Sequence, residues 1–127
     1  MKAVYSDLHR SHDPQFFLVR GVVQRTTEQP ERADRLLAGL KAGSHKLIEP
    51  TKFGQGPRAR VHSPEYLGFL EGAWDEWLAL GNAGPEMIAN IHPVRNAGTY
   101  PAHIVGKLGW HTVDTAAPIG PGTWAGA

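Results

Sequence analysis

Ala3 to Tyr5 is a short apolar run with one β-branched and one aromatic residue, closed by Ser6 and Asp7. That pattern predicts a buried first strand whose carboxyl end opens into a loop. Leu8 to Gln29 shows no sustained period, although Phe16, Phe17, Leu18, Val19, Val22 and Val23 are too apolar to be freely solvated. It reads as a long loop, and long loops in compact domains are usually functional. Ala33, Leu36, Leu37 and Leu40 then fall at i, i+3, i+4 and i+7, with Glu31, Asp34, Arg35 and Lys41 off that face. The spacing predicts a helix that starts near Pro30, is capped by Thr26 or Thr27, and stops at Gly43. Lys46 to Glu49 reads as a second strand closed by Pro50. Strand, helix, strand favours an α/β fold with a parallel sheet.

Further on, Ser63 is placed to cap a helix with Pro64 at its first position. Tyr66, Leu67, Phe69, Leu70, Ala73, Trp74, Trp77 and Leu78 make a stripe wider than a surface helix needs, so it must be covered on more than one side. Burying these groups is worth on the order of 10 kcal/mol gross, an upper value because the unfolded chain already hides part of them. Two short strands and one other helix offer little area for that. From Asn82 to Pro118 the pattern breaks into apolar pieces punctuated by glycine and proline, with one short helix expected near His103 to Trp110. Gly120 to Ala125 has the look of a helix start, with Thr123 or Pro121 near the cap. A helix of one turn cannot stand alone.

With 127 residues and 41% hydrophobic content the chain suits one compact unit. Thirteen Lys and Arg against 12 Asp and Glu give no basic field, which argues against a nucleic-acid partner. The absence of cysteine excludes a disulfide framework and thiolate zinc sites, so a metal would need His and carboxylate ligands. Polar residues arrive too early for a signal peptide, and no apolar run approaches the roughly 18 residues of a membrane span. The expectation is a soluble cytoplasmic protein with no membrane partner.

Four stretches, in order, carry a resemblance: Pro30-Glu31-Arg32-Ala33, Val61 to Leu70, Ala73-Trp74 with Trp77, and Asp114 to Trp124. Together they resemble the acetylpolyamine amidohydrolases of the histone deacetylase superfamily. The resemblance implies an arginase-like α/β fold of which residues 1–127 would be the amino-terminal third, with a carboxyl-terminal portion as missing partner. It also implies hydrolysis of acetylated amines on a zinc ion held by two aspartates and a histidine, beside a histidine pair and a tyrosine. None of those segments is present in this sequence, so no zinc is expected to be bound by this chain and no catalytic residue is carried over. Arg32 resembles an arginine that lines the acetate exit channel of relatives, and a surface arginine on the first helix is an equal reading. Asn82 to His103 matches an insertion by which such enzymes pair into homo-oligomers and narrow the active-site mouth. Where relatives meet their cationic substrate with acidic side chains, Val105 and Ala116 align here, leaving Asp114 as the nearby carboxylate.

Several residues invite a sharper reading. Asp7-Leu8-His9, with His12 and Asp13, could be drawn as a zinc site, since imidazole and carboxylate suit zinc; loop residues near the mouth are the preferred reading. His45, His62, His92, His103 and His111 show no ligand spacing. Trp74 and Trp77 lie at helical spacing and read as core, whereas Trp110 is the better candidate for the mouth, where indole faces attract cations. Gly120-Pro121-Gly122 lacks the lysine and spacing of a phosphate loop. Three functions compete: the inactive front of a zinc-dependent amidohydrolase, a self-standing interaction module on the same front end, and an independent His/Asp metal hydrolase built on His9, His12 and Asp13. The first is preferred.

Overall fold

The computed structural model describes residues 1–93 and 98–127. β1 (Lys2–Val4) pairs in parallel with β4 (Lys46–Ile48), Ala3 standing opposite Leu47, and Tyr5 N–H extends the ladder to the Ile48 carbonyl at 3.1 Å. Between these strands run a 3-10 turn (Asp7–Ser11), an antiparallel hairpin of β2 (Phe16–Val19) and β3 (Val22–Arg25), and α1 (Glu31–Ala42). The α/β fold with a parallel pair, expected from strand, helix, strand, is the one observed.

The hairpin corrects the loop expected between Leu8 and Gln29. Its turn residues Arg20 and Gly21 both take positive φ, 51° and 78°, the conformation a two-residue hairpin turn needs to match the twist of its strands. The sequence hid this because Phe16 to Val19 is an unbroken apolar run without alternation, and Arg-Gly is not the usual turn pair. What holds the hairpin comes from far away. Leu18 N–H donates to the Thr115 carbonyl at 3.2 Å, and Thr115 Oγ1 donates to the Leu18 carbonyl at 2.8 Å.

One capping expectation is also corrected. α1 begins after Pro30 with no side-chain cap; Thr26 is instead buried, extending the hairpin through its N–H to the Gln15 carbonyl while its Oγ1 accepts from Glu28 N–H. At the other end the helix stops at Gly43, as expected, and the left-handed residue is the following Ser44, φ 52°. The face expected to be core is only half-buried at Ala33, Leu37 and Leu40, and Leu36 is 69% exposed. Two three-residue strands are too narrow to cover it.

A short α2 (Gly56–Ala59) leads into α3 (Pro64–Leu78), where Ser63 Oγ accepts from Tyr66 N–H at 3.2 Å and Pro64 opens the helix, as predicted. The cover for its wide apolar stripe comes from the stretch that sequence left irregular. α4 (Ile104–His111) and the antiparallel bridge between Met87 and Ile119 close on it, giving a core of Phe69, Ala73, Met87, Ala89, Ile104, Leu108 and Ile119. Tyr66, Leu70, Trp74 and Trp77 pack around that core, so both tryptophans serve it, and Trp77 Nε1 donates to the Gly84 carbonyl at 2.8 Å. Lys107 bonds both oxygens of Glu76 across the two helices, at 2.9 and 2.7 Å.

Two glycines permit backbone-to-backbone contact. A Cβ on Gly109 of α4 would overlap the Ile91 carbonyl oxygen, and one on Gly122 would overlap that of Ser11. Gly122 is the N-cap of α5 (Thr123–Gly126), which packs against the 3-10 turn, and Pro121 and Thr123 flank that cap, as expected. Gly109→Ala should destabilise the chain by about 2–3 kcal/mol, because the clash is with backbone that no rotamer can relieve. Gly72→Ala, in α3 with open space at the same position, should stabilise it by about 0.5–1 kcal/mol. Urea unfolding midpoints that move in the same direction for both variants would contradict this packing.

Candidate functional site

In open α/β sheets ligands bind beyond the carboxyl ends of the strands. The carboxyl end of β1 runs into the 3-10 turn, and two adjoining cavities lie there. One, of about 320 Å³, is lined by His9, His12, Glu28, Arg32 and Thr123 among others. The second, of about 380 Å³, is lined by Val4, Tyr5, Leu8, His9, Ala33 and Pro50 among others. His9, Gly126 and Ala127 belong to both.

The polar groups around this end are bound to one another. Tyr5 hydroxyl donates to Asp7 Oδ1 at 2.6 Å, Arg10 Nε reaches the same oxygen at 3.4 Å, and Arg10 Nη2 is paired with Asp34 of α1. The Tyr5 hydrogen bond, with Arg10 behind it, holds the Asp7 carboxyl below its ordinary value; the same bond holds the Tyr5 hydroxyl above its own. The Asp34 carboxylate pushes the Arg10 guanidinium further up. His12 Nδ1 lies 2.9 Å from Thr123 Oγ1, which also accepts from Gly120 N–H at 2.9 Å. His9 Nδ1 lies 2.9 Å from the Ser6 carbonyl. Arg32 Nη1, in the first turn of α1, donates to Oε1 of Glu28 in the segment before that helix, at 2.8 Å.

Arg32 therefore lines a cavity beside two histidines. Trp110 and Asp114 lie elsewhere. Trp110 meets Tyr100 edge to face, centroids 5.8 Å apart, and lines a third cavity with His62, Glu65, Tyr66 and His111. The His111 ring stacks on Phe69 at 4.6 Å with its Nε2 3.0 Å from the Tyr100 hydroxyl. Burial, with the Glu65 charge second, pushes the Tyr100 hydroxyl up. Asp114 is exposed and uses Oδ1 to accept Ala116 N–H at 2.8 Å, which shapes the turn beside the hairpin. The three candidates share no cavity.

No group of three or more His, Asp or Glu residues is arranged to hold a metal ion among the described residues. His9 and His12 share a cavity, but the Asp7 carboxylate is taken by Tyr5 and Arg10. The donor set does not fit zinc. Part of the 82–103 stretch, residues 94–97, lies outside the described residues. No helix among the described residues is long and apolar enough to cross a membrane.

Sequence reasoning missed the His12–Thr123 pairing, the cation–π contact of Arg58 over Trp124 at 4.6 Å, and buried Glu86, whose Oε1 accepts from Gln15 N–H at 2.7 Å. The first joins positions 111 apart, the last 71 apart, and nothing local marks either.

Tyr5→Phe should raise the Asp7 pKa towards the ordinary carboxyl value of about 3.9, with Arg10 keeping part of the depression. A depressed carboxyl contributes stability above its unfolded pKa and loses it as pH falls through the folded one. Wild type and variant should therefore converge in stability as pH falls through that acidic window; an Asp7 carbon chemical-shift titration unchanged by the substitution would contradict the assignment. Thr123→Val should cost about 1 kcal/mol by removing the hydroxyl shared by His12 and Gly120, read as a lower urea midpoint.

No family model matches the chain. It is 42% identical to acetylpolyamine amidohydrolase 1 of Pseudomonas aeruginosa over 98% of its own length and 37% of that protein's. It is 36% identical to acetylpolyamine amidohydrolase of Mycoplana ramosa over 100% of its length and 38% of that protein's. The crystal structure of acetylpolyamine aminohydrolase from Burkholderia pseudomallei superposes with a TM-score of 0.92 at 34% identity, over 100% of this chain and 37% of that one. The chain thus spans little more than a third of the length of the relatives it matches. In sequence and in fold it is acetylpolyamine amidohydrolase-like, the equivalent of the amino-terminal third of those proteins.

Proposed function

We propose that these residues form the amino-terminal part of a zinc-dependent amidohydrolase that removes acetyl groups from acetylated amines, of acetylpolyamine or acetyl-lysine type, and that the chain alone is inactive. The observation that carries this reading is the match of the entire chain, in sequence and in three dimensions, to about 37% of the aminohydrolase structure. Zinc, in this reading, polarises the amide and activates water when held by the remainder of the fold. The residues here build the walls and not the reacting centre.

Arg32 supplies a cation at the wall of the cavity shared with His9 and His12, suited to guide a departing carboxylate; its ion pair with Glu28 is exposed and exchangeable. Trp110 offers an aromatic face and Asp114 an exposed carboxylate to an ammonium group arriving at the mouth. Val105 and Ala116 offer no second carboxylate, which favours amines with less charge than a polyamine. Pairing of two copies through residues 82–103 belongs to the same reading.

A second reading, a non-catalytic interaction module, is favoured by one observation: the core from Phe69 to Ile119 closes on residues of this chain alone. The two separate in an assay of the 127-residue chain with zinc and acetylated amines, followed by addition of the remaining length of a relative. Turnover is expected only after that addition. Chelator-sensitive turnover by the chain alone would overturn the expectation of inactivity. A cooperative thermal transition, a defined oligomer and no response to the added portion would favour the module.

A further inference from the structure

We infer that the cavity between the start of α3 and the end of α4 is a subsite for a single primary ammonium group, with Glu65 as the carboxylate that pairs with it and Tyr66 and Trp110 as aromatic walls. The choice of ligand, the free ammonium end of an acetylated diamine, rests on the reading above. The site itself rests on the geometry of this chain.

The cavity measures about 410 Å³. His62, Glu65 and Tyr66 line it from the first turn of α3 and the residues just before, and Trp110 and His111 line it from the last turn of α4. Among the described residues Glu65 is the one carboxylate on its wall, and no lysine or arginine stands beside it. Asp114, the carboxylate that sequence placed near Trp110, lies outside the cavity and holds Ala116 N–H.

The Glu65 side chain is 50% exposed, and its one ion-pair contact among the described residues is His111 Nε2 at 3.9 Å, beyond hydrogen-bond reach. That nitrogen lies 3.0 Å from the Tyr100 hydroxyl instead. The carboxylate thus keeps its oxygens for a cation from solution. Around it the rings are held by one another. Tyr66 sits between His62 and His111, centroids 5.1 and 5.5 Å away, and Trp110 meets Tyr100 edge to face. Rings already fixed in place attract a cation at little further cost in side-chain freedom. A carboxylate among aromatic walls suits a group that is charged at its tip and apolar along its stem, which describes an alkylammonium. One carboxylate matches one such charge; a second ammonium on the same ligand would find no partner on these walls.

The test follows the Trp110 indole N–H and the Tyr66 ring by NMR in the full 127-residue chain. The charged probe is N-acetylputrescine, and N-butylacetamide is the neutral probe of the same length. Saturable shifts at both residues are expected with the charged probe alone, and added salt should weaken them. Glu65→Gln should weaken binding about threefold to fivefold, the loss expected for one partly solvated ion pair. Asp75→Asn, which removes the same charge from an exposed position on α3 outside the cavity, should leave binding unchanged. Equal binding of the two probes, equal loss from the two variants, binding indifferent to Glu65→Gln, or no saturable shift at Trp110 and Tyr66 overturns the inference. The amidohydrolase reading is decided separately, by adding zinc and the remaining length of a relative. Turnover restored without diamine binding at Glu65 refutes the inference alone, whereas binding at Glu65 without restored turnover refutes that reading and supports the ammonium subsite.

Discussion

The burial of α3 organises the rest of the chain. Its stripe from Tyr66 to Trp77 is too wide for one neighbour, and the structure answers with α4 on one side and the Met87–Ile119 bridge on another. Gly109 of α4, without a side chain, lets the backbone at Ile91 lie against that helix. Once that crossing is made, Thr115 is held beside Leu18, and the hairpin, which has no core of its own, is tied to the middle of the molecule. Burial of one helix thus positions both the hairpin that precedes it and the Thr115 to Ile119 stretch that follows it.

The parallel pair lies at the opposite extreme. β1 and β4 pair in parallel over only three residues each, and α1 beside them buries nothing completely. Its polar neighbours compensate locally. Tyr5, Asp7, Arg10 and Asp34 bind one another at the surface, where such pairs contribute little to stability and more to direction. The buried core thus lies with α3 and α4, while the parallel pair and α1 stay half-exposed.

In the proposed reading the site is walls without a centre. His9, His12 and Arg32 stand around a cavity at the carboxyl end of β1, where sheet folds place their ligands. Trp110 and Asp114 stand on the helical side, in other surroundings. The groups that would join these walls across a substrate belong, in the proposed reading, to later strands.

The sequence by itself determined what is local or periodic. Ser63 and Pro64 fixed the start of α3, the spacing from Ala33 to Leu40 fixed α1, and short β-rich runs fixed β1 and β4, because each signal sits within a turn or two of its effect. The motifs from Pro30 to Trp124 identified the kind of enzyme the chain resembles for the same reason: they are contiguous. Tertiary structure decided the rest. The hairpin depends on Thr115, the role of Thr26 on the Gln15 carbonyl, the fate of Leu36 on how narrow the sheet is, and the pairing of His12 with Thr123 on α5 folding back over the first turn. Each of these is a contact between residues far apart in sequence, and no local preference of either partner encodes it.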